Sequence, residues 1–445
     1  MIMLDAISPI DGRYRNYTEP LVKFFSEEAF MKYRVHMEGE YLIALSQVQG
    51  IGLRKLTKTE IVGIRELAKQ FSAKDAEAIK EIEATTNHDL KAIEYWMKSK
   101  LKETTLANAI EWIHFGLTTW DATNIPYALM LQDALQEVLI PELEKIAASL
   151  KFKNVPMLAR THGQPASPTT FGKEMAVFRN RLQRQLEQLK QWKALAKLNG
   201  ATGNYNALVA AYPKIDWIAF SKKFIRSLGL EPNLVTTQIE PYDNFAELFD
   251  TLRRINSILI DFNQDMWRYI SDEWIIQKAI AGEVGSSTMP HKINPIQFEN
   301  SEGNLGLANA LLNHFSQKLP ISRLQRDLSD STVLRSIGSA FAYSMIAYHS
   351  LQNGLSRIAI NETAMREALV AHPEVLAEAI QTILRREGVP MPYEKLKELT
   401  RGKQLTLEDL RKFIENLEID QKIKEELLTL TPETYVGLAE KLAQY

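Results

Sequence analysis

The chain has 445 residues, of which 45% are hydrophobic and 24% are charged, with a formal net charge of −2 and no cysteine. So small a net charge excludes a whole-chain field that would attract nucleic acid or a membrane surface, so an anion must be bound by a local basic cluster. The lack of cysteine excludes disulfides, thiolate metal sites and cysteine nucleophiles. With no signal peptide and no apolar run near the ~18 residues of a membrane span, we expect a cytoplasmic protein that has no metal site and binds neither nucleic acid nor membrane.

Proline placement predicts an all-α fold. No proline occurs between Pro20 and Pro126 or between Pro241 and Pro290, and such stretches permit long helices because proline is costly inside a helix. Alternating apolar and polar patterns typical of strands are scarce. At roughly 150 residues per domain, we predict three helical domains, which are residues 1–109, a central long-helix bundle over 110–355, and residues 356–445.

The first predicted domain contains two polar segments. Asp11-Gly12-Arg13-Tyr14 is typical of a turn that presents an arginine beside an aromatic ring. Thr86-Asn87-His88-Asp89 places one of the eight histidines of the chain in a polar setting. Histidine can exchange a proton near neutral pH, so we regard His88 as a candidate for function rather than for packing.

Two apolar stripes predict long helices in the central domain. Residues 172–198 carry apolar side chains at helical spacing among many Arg, Gln and Lys residues. Residues 245–270 would form a helix roughly 39 Å long at 1.5 Å per residue. Its stripe follows a heptad pattern formed by Leu248, Leu252, Ile255, Leu259, Phe262 and Met266. The simplest interpretation of both stripes is the core of a helix bundle. In the same predicted domain, the segment from Arg160 to Ala166 places His162 beside glycine and hydroxyl residues.

The loop over residues 281–295 combines chemistry that core packing does not require. It contains two adjacent serines, Ser286 and Ser287, a histidine, Lys292 and Asn294, with prolines at 290 and 295. A cation and an amide two residues apart can hold a carboxylate and stabilise charge that develops on it. Serine is a poor base unless its surroundings withdraw the hydroxyl proton, and the sequence shows no partner that would do so. A polar turn is therefore the alternative interpretation.

A second anion site is predicted near residues 323–335. We expect Asp330 or Ser331 to cap a helix whose amides, together with Arg326 and Arg335, favour a phosphate. The alternative is an ordinary capped helix with salt-bridged arginines. Farther on, Thr406-Leu407-Glu408-Asp409 predicts a capping box that begins a helix in the last domain.

Taken together, these segments resemble the bacterial adenylosuccinate lyase family of the fumarase/aspartase superfamily. The resemblance covers essentially the whole chain. The loop 281–295 is similar to the superfamily signature. The family-level motifs are Thr86–Asp89, Arg160–Gln164, Thr236–Pro241 and Asp330–Arg335.

The resemblance implies a β-elimination of fumarate without a cofactor. The implied substrates are two small-molecule nucleotides, adenylosuccinate and the succinyl-aminoimidazole carboxamide ribotide of purine synthesis. Ser286 would be the general base and His162 the general acid. Lys292 and Asn294 would hold the succinyl part. Asn87, His88 and Asp89 would form a substrate-binding segment. The remaining implied substrate contacts are Arg13, Tyr14, Thr118, Thr119, Gln238, Asn300, Arg326, Ser331, Thr332 and Arg335.

The resemblance also implies a homotetramer in which the central helices form a twenty-helix core and each active site draws on three subunits. The chain departs from the usual bacterial pattern at Thr118–Asn124, where Trp120 stands in place of a glutamate. From sequence we expect that glutamate at position 120 would preserve the fold. It would change the reaction rate less than tenfold, which is under about 1.4 kcal/mol of barrier.

Two other functions remain open at this point. Another lyase of the superfamily, acting on a small acid, would not need the arginines at 13, 326 and 335, because its substrate carries no phosphate. A catalytically silent helical scaffold would not need Ser286, His162 or Lys292. Stabilisation by free nucleotide would separate a nucleotide-binding enzyme from a scaffold.

Overall fold

The computed structural model describes residues 4–280, 282, 285, 288–400 and 405–445. Helices dominate this part of the chain, so the all-α prediction is confirmed. The α-helices are α1 (Arg15–Thr18), α2 (Val22–Phe25), α3 (Glu27–Leu45), α4 (Lys58–Lys69), α5 (Ala73–Thr86), α6 (Asp89–Leu101), α7 (Asp121–Ala134), α8 (Ile140–Ser149), α9 (Phe171–Gln191), α10 (Asn206–Ala211), α11 (Trp217–Ser227), α12 (Asp243–Ser271), α13 (Ile296–Lys318), α14 (Ser329–Leu334), α15 (Ile337–Ser356), α16 (Glu362–Val370), α17 (Ala377–Arg386), α18 (Pro392–Thr400), α19 (Leu407–Glu415), α20 (Gln421–Leu428) and α21 (Ala439–Leu442).

Shorter elements join these helices. The 3₁₀-helices are Glu19–Leu21, Ala107–Trp112 and Pro373–Leu376, and a π-helical turn at Leu135–Leu139 links α7 to α8. The strands are β1 (Pro156–Thr161), β2 (Gln164–Thr170), β3 (Leu195–Ala196), β4 (Glu231–Pro232), β5 (Ile275–Gln277) and β6 (Ile358–Ile360). They form three two-stranded sheets, in which β1–β2 and β5–β6 are antiparallel and β3–β4 is parallel.

The long central helices follow the predicted apolar stripes. All six heptad residues of α12 are 0–1% exposed, because their spacing of three and four residues places them on one face of the helix. The five apolar residues of the other stripe, Met175, Phe178, Leu182, Leu186 and Leu189, are likewise buried.

The predicted end of the second long helix at residue 198 is wrong. Helix α9 ends at Gln191, and Leu195–Ala196 pairs with Glu231–Pro232 instead. The Leu195 amide donates to the Asn244 side chain at 3.0 Å, and this contact draws the chain out of the helix. Tertiary hydrogen bonds override the helical spacing of the apolar residues here.

The fold divides into two compact units. Unit 1 contains Met1–Leu143, Gln185–Ser257 and Gly303–His349, and in it α3 packs against α4, α6 and α7. Unit 2 contains Glu144–Arg184, Ile258–Glu302 and Ser350–Tyr445, and in it α16 packs on β1, and α21 on β2. The division into three domains stays a prediction.

The last part of unit 2 has a small apolar core of its own. Its buried residues are Leu376, Ile380, Leu384, Leu396, Leu405, Leu410, Ile414, Leu417 and Leu427. The capping box that begins α19 is confirmed. The Asp409 amide donates to the Thr406 hydroxyl at 3.2 Å, and the Thr406 amide donates to the Asp409 carboxylate at 3.0 Å. In the part of the chain that the structure describes, no helix is both long and apolar enough to cross a membrane.

Candidate functional site

A polar cavity of about 360 Å³ in unit 1 gathers most of the predicted substrate contacts. It lies among α3, the α5–α6 junction, the start of α7 and the segment before and within α14. The predicted contacts that line it are Asn87, His88, Asp89, Thr119, Arg326, Ser331, Thr332 and Arg335. Four other predicted contacts of this unit, Arg13, Tyr14, Thr118 and Gln238, are not among the residues that line it.

The junction of α5 and α6 explains why Asn87, His88 and Asp89 meet the cavity. Asn87 has φ of 50°, a left-handed conformation that asparagine tolerates, and it ends α5. His88 then caps α6, with its Nδ1 accepting the Lys91 amide at 3.2 Å. This bond fixes the imidazole by its Nδ1 edge. The ring is exposed, so Nε2 remains the atom that can approach a ligand.

Asp89 belongs to a partly buried charge network. Its carboxylate accepts a hydrogen bond from the Arg34 guanidinium at 2.8 Å and lies 3.8 Å from that of Arg335. Burial raises the pKa of Asp89, but the attraction and hydrogen bond of Arg34 outweigh it, so the pKa lies below its ordinary value. Arg34 also donates to the Thr123 hydroxyl at 3.0 Å and stacks on the Phe30 ring at 4.0 Å.

Arg326 is held from two directions. Its guanidinium carbon lies 3.9 Å from the centre of the Trp120 ring, so the cation stacks on the indole face. At its edge, one nitrogen donates to the Gln238 Oε1 at 3.0 Å and another to the Ser331 hydroxyl at 3.4 Å. Trp120 itself is 2% exposed, and its Nε1 donates to the Tyr242 hydroxyl at 2.7 Å.

The cavity carries an excess of positive charge. Three guanidiniums, those of Arg34, Arg326 and Arg335, face two carboxylates, and one of these carboxylates, Glu83, also pairs with Lys80 at 2.9 Å. With the hydroxyls of Ser331 and Thr332 nearby, this arrangement suits an anion that accepts several hydrogen bonds.

The predicted cap of the helix at residues 330–331 is wrong. Helix α14 begins at Ser329 and has only 6 residues, and neither Asp330 nor Ser331 caps it. The Asp327 carboxylate accepts the Ser329 amide at 2.7 Å instead, which starts the helix earlier. The groups of this segment that are available to an anion are therefore side chains rather than a helix N-terminus.

A buried ion pair fixes the start of α7 and with it the wall that carries Thr119 and Trp120. Asp121 and Lys197 are both 0% exposed in their side chains and lie 2.9 Å apart. The Asp121 carboxylate also accepts the amides of Thr118 at 3.0 Å and Gly200 at 3.1 Å. Burial lowers the pKa of Lys197, and the attraction of Asp121 offsets this only in part.

The predicted turn at Arg13 and Tyr14 is confirmed. The Tyr14 amide donates to the Pro9 carbonyl at 2.9 Å, and the Arg13 guanidinium carbon lies 5.8 Å from the Tyr14 ring centre. Tyr14 stacks with Tyr17, which in turn stacks on His349. The turn therefore presents an arginine on an aromatic support.

In unit 2, His162 stands at the tip of a β-hairpin that the sequence did not reveal. Thr161 pairs with Gln164, so His162 and Gly163 form a two-residue turn, with φ of 53° and 74°. Positive φ at both positions is what the I′ hairpin turn needs, and histidine, like Asn and Asp, adopts it more readily than most residues other than glycine. The imidazole is exposed at this tip.

The described part of the loop 281–295 closes on its own backbone. The Asn294 side chain donates to the Gly285 carbonyl at 2.8 Å, and the Gln277 side chain donates to the Ile293 carbonyl at 2.7 Å. A Cβ at Gly285 would lie 2.0 Å from the Lys292 carbonyl oxygen, so only glycine fits. Lys292 is exposed. Ser286, the predicted base, lies outside the described residues, as does Ser287.

Asn300, on α13, donates to the Ser350 hydroxyl of α15 at 2.6 Å within unit 2. The structure thus describes His162, Lys292, Asn294 and Asn300 in one unit, and the arginine-lined cavity in the other.

Sequence reasoning missed Arg34, which is 4% exposed. A signal was available, because Met31, Arg34, Glu38 and Leu42 share one face of α3 at helical spacing, and all are buried. A charge on an apolar stripe indicates a buried partner. That partner, Asp89, was already a candidate.

Comparison with known proteins places the whole chain within one group of enzymes. A lyase family model matches residues 12–310, and an adenylosuccinate lyase C-terminal model matches residues 322–436. The chain is 50% identical to an adenylosuccinate lyase of Haemophilus influenzae, covering 99% of this chain and 98% of that one. It is 48% identical to an adenylosuccinate lyase of Escherichia coli, covering 98% and 97%. The fold is similar to that of a fumarate lyase from Mesorhizobium sp. BNC1, with a TM-score of 0.76 at 19% identity over 96% of both chains.

Proposed function

The chain belongs to the adenylosuccinate lyase family, and from this membership we propose that it is a carbon–nitrogen lyase that cleaves adenylosuccinate into AMP and fumarate. The same β-elimination applied to succinyl-aminoimidazole carboxamide ribotide would give the aminoimidazole carboxamide ribotide and fumarate. Both substrates combine a nucleotide phosphate with a succinyl group on nitrogen. Both reactions belong to purine nucleotide synthesis.

The observation that carries this proposal is the arginine-lined cavity of unit 1. Its three guanidiniums and the hydroxyls of Ser331 and Thr332 suit a phosphate, which accepts several charge-assisted hydrogen bonds. A lyase acting on a small acid without phosphate would not need this cluster. We assign Arg326, Ser331 and Arg335 to the phosphate end, and Asn87, His88, Asp89 and Thr119 to the substrate contacts beside it. Arg13, Tyr14, Thr118 and Gln238 complete the nucleotide contacts.

In the proposed mechanism, Ser286 acts as its alkoxide, takes the proton from the succinyl β-carbon and becomes a neutral hydroxyl. The electrons of the broken C–H bond pass first into the neighbouring carboxylate, which becomes an aci-carboxylate. They then form the carbon–carbon double bond of fumarate as the carbon–nitrogen bond breaks. Lys292 and Asn294 stabilise the charge on the carboxylate, which is the largest demand of the step. Asn300 makes a further substrate contact.

His162 protonates the leaving nitrogen, so that the electron pair of the broken bond ends as an N–H bond of AMP. The exposed hairpin tip supports this role, because an imidazole there can reach a ligand without displacing packed side chains. The positive φ of His162 supports it too, since unusual backbone conformations cluster at functional turns.

We further propose that the active chain is a cytoplasmic homotetramer with a twenty-helix core and active sites shared among subunits. Exposed apolar side chains on the long helices support association. Trp267 on α12 and Leu307 on α13 are 45% and 51% exposed. Sedimentation analysis of the purified chain tests the assembly directly.

The decisive experiment measures fumarate release from adenylosuccinate by the wild type, Ser286→Ala and the matched control Ser287→Ala. We expect turnover by the wild type and a loss of about a thousandfold or more in kcat for Ser286→Ala, since its base is removed. Ser287→Ala should stay within tenfold of the wild type. Equal losses of kcat in both variants would contradict the proposal that Ser286, rather than Ser287, is the base.

A well-folded wild type that releases no fumarate from either substrate would overturn the proposed function. In that case AMP still separates the remaining possibilities. A nucleotide-binding protein is stabilised by AMP through mass action, so its melting temperature rises with AMP concentration. A silent scaffold shows no such rise.

A further inference from the structure

We propose that Trp120 is a positioning residue for Arg326. Its indole holds the guanidinium flat and leaves the positive charge unneutralised for the phosphate of the bound nucleotide. This inference rests on the proposed function for the identity of the ligand. It goes beyond that function because Trp120 is neither one of the proposed substrate contacts nor one of the proposed reacting groups.

Trp120 is itself immobilised. The ring is 2% exposed, and its Nε1 donates to the hydroxyl of Tyr242, which is 0% exposed. Tyr242 packs in turn on Phe245, with ring centres 5.4 Å apart. An indole fixed by a hydrogen bond at its edge and by packing behind it offers a rigid flat surface.

The contact between Trp120 and Arg326 fixes the plane of the guanidinium. With its carbon 3.9 Å from the ring centre, the guanidinium lies on the indole face, where cation–π attraction is strong. Within that plane, Gln238 fixes the rotation by accepting one N–H at 3.0 Å. Gln238 cannot turn its amide over, because its own Nε2 donates to the Ala201 carbonyl at 3.0 Å.

Trp120 also holds Arg326 without neutralising the charge of the guanidinium. A carboxylate at position 120 would form an ion pair with Arg326 and cancel most of its field. An aromatic ring attracts the cation but carries no net charge. Among the residues that the structure describes, Arg326 forms no ion pair, and its Nε is buried without a hydrogen-bond partner. The guanidinium thus keeps its charge for an anion, and the buried carboxylate of Asp330 interacts with it only at longer range, without a direct ion pair.

These contacts revise the sequence-based expectation for position 120. From sequence alone, a glutamate there changes the expected rate less than tenfold. With Trp120 buried beneath Arg326, glutamate would remove the stacking surface and also neutralise the cation. We now expect Trp120→Glu to weaken phosphate binding by more than tenfold.

The test compares Trp120→Phe, which keeps an aromatic face, with Trp120→Met, which keeps apolar bulk without one. AMP and inorganic phosphate are the probes, adenosine is the phosphate-free control, and binding is measured by calorimetry on the full-length oligomer. We expect AMP affinity within threefold of the wild type for Trp120→Phe and about tenfold weaker for Trp120→Met. Adenosine affinity should be unchanged in both.

Kinetics provide a readout that a merely structural role would not move. For adenylosuccinate, Trp120→Met should raise KM about tenfold while kcat stays within threefold, since the lost contact is with the phosphate rather than with the reacting bond. Equal AMP affinity in the wild type, Trp120→Phe and Trp120→Met would overturn the proposal. So would a Trp120→Met variant that loses kcat with KM unchanged.

Arg326→Lys tests the same contact without disturbing the buried ring. Lysine keeps the charge but has no flat face to lie on the indole, so we expect about tenfold weaker AMP binding. Wild-type affinity in Arg326→Lys would overturn the proposal even if Trp120→Met did not fold. Failure of the wild type to cleave adenylosuccinate would instead count against the proposed function. The phosphate-binding comparison would still decide the role of Trp120.

Discussion

The arginine-lined cavity of unit 1 and the catalytic candidates of unit 2 are built in different ways. In the cavity, two of the arginines are fixed by specific partners, Arg34 by the carboxylate of Asp89 and Arg326 by the ring of Trp120. In unit 2, His162 and Lys292 stand exposed on a hairpin tip and a loop. The difference indicates that the proposed nucleotide contacts are preformed. The proposed reacting groups sit instead on exposed surfaces that a partner or a ligand can cover.

The largest expected effect tests the exposed catalytic candidates of unit 2. His162→Asn should lower kcat by about a hundredfold or more, because the proton donor is lost. Asparagine tolerates positive φ, so the turn should survive and the melting temperature should stay within about 2 °C. His372→Asn, in which another histidine is changed, should retain full activity. A large drop in melting temperature for His162→Asn would break the comparison by giving the hairpin tip a structural role.

The next effect tests the arginine-lined cavity of unit 1, through the buried ion pair that fixes one of its walls. Lys197→Met removes the cation from a fully buried pair and leaves the Asp121 carboxylate with backbone amides alone. We expect the free energy of unfolding to fall by about 3 kcal/mol. AMP binding should also weaken, since Asp121 fixes the segment before Trp120. Urea unfolding gives the first quantity and calorimetry the second.

Lys193→Met is the matched control, because Lys193 lies in the same segment but its side chain is 67% exposed. It should change the free energy of unfolding by less than about 0.5 kcal/mol. Similar losses in the two variants would contradict the argument from burial.

Arg34→Met should lower the free energy of unfolding by about 2 kcal/mol. This loss is smaller than that expected for Lys197→Met because Asp89 is only partly buried. This loss should depend on pH. The pKa of Asp89 is lowered in the folded state, so its ion pair contributes stability above the unfolded pKa and loses it as the pH falls through the folded pKa. The difference between wild type and variant should therefore be full at pH 7 and shrink below about pH 4.

Urea midpoints measured from pH 7 to pH 3 check this prediction, with Lys32→Met as the control on the same helix. Lys32 is exposed, and its substitution should show neither the loss nor its pH dependence. A difference for Arg34→Met that persists unchanged at pH 3 would mean that Asp89 is not the source of the stabilisation.

The smallest effect sharpens the comparison inside the cavity itself. Arg335 is 65% exposed and lies 3.8 Å from Asp89, so it acts mainly through its charge. Arg335→Gln should raise KM for adenylosuccinate about fivefold at low salt and less at high salt, with unfolding unchanged. A salt-independent effect would show that Arg335 makes a direct, desolvated contact.

Much of the fold and of the cavity could be predicted from sequence because the signals were local. Six heptad residues predicted α12, and short polar motifs predicted Asn87, His88 and Arg326. Long-range contacts caused the failures. The end of α9 depends on Asn244, the start of α14 depends on Asp327, and the partner of Asp89 comes from α3. The hairpin at His162 was missed because its strands lack alternating polarity.

The stacking of Arg326 on Trp120 also has an optical consequence. A cation fixed over one face of an indole shifts the energy of its emission, because the excited state has a different dipole from the ground state. A phosphate that approaches the guanidinium opposes that field. Nucleotide binding at this cavity should therefore change the tryptophan emission of the native chain, and Trp120→Phe should abolish the change. If the emission changes in this way, Trp120 serves as a built-in fluorescent reporter of occupancy of this cavity.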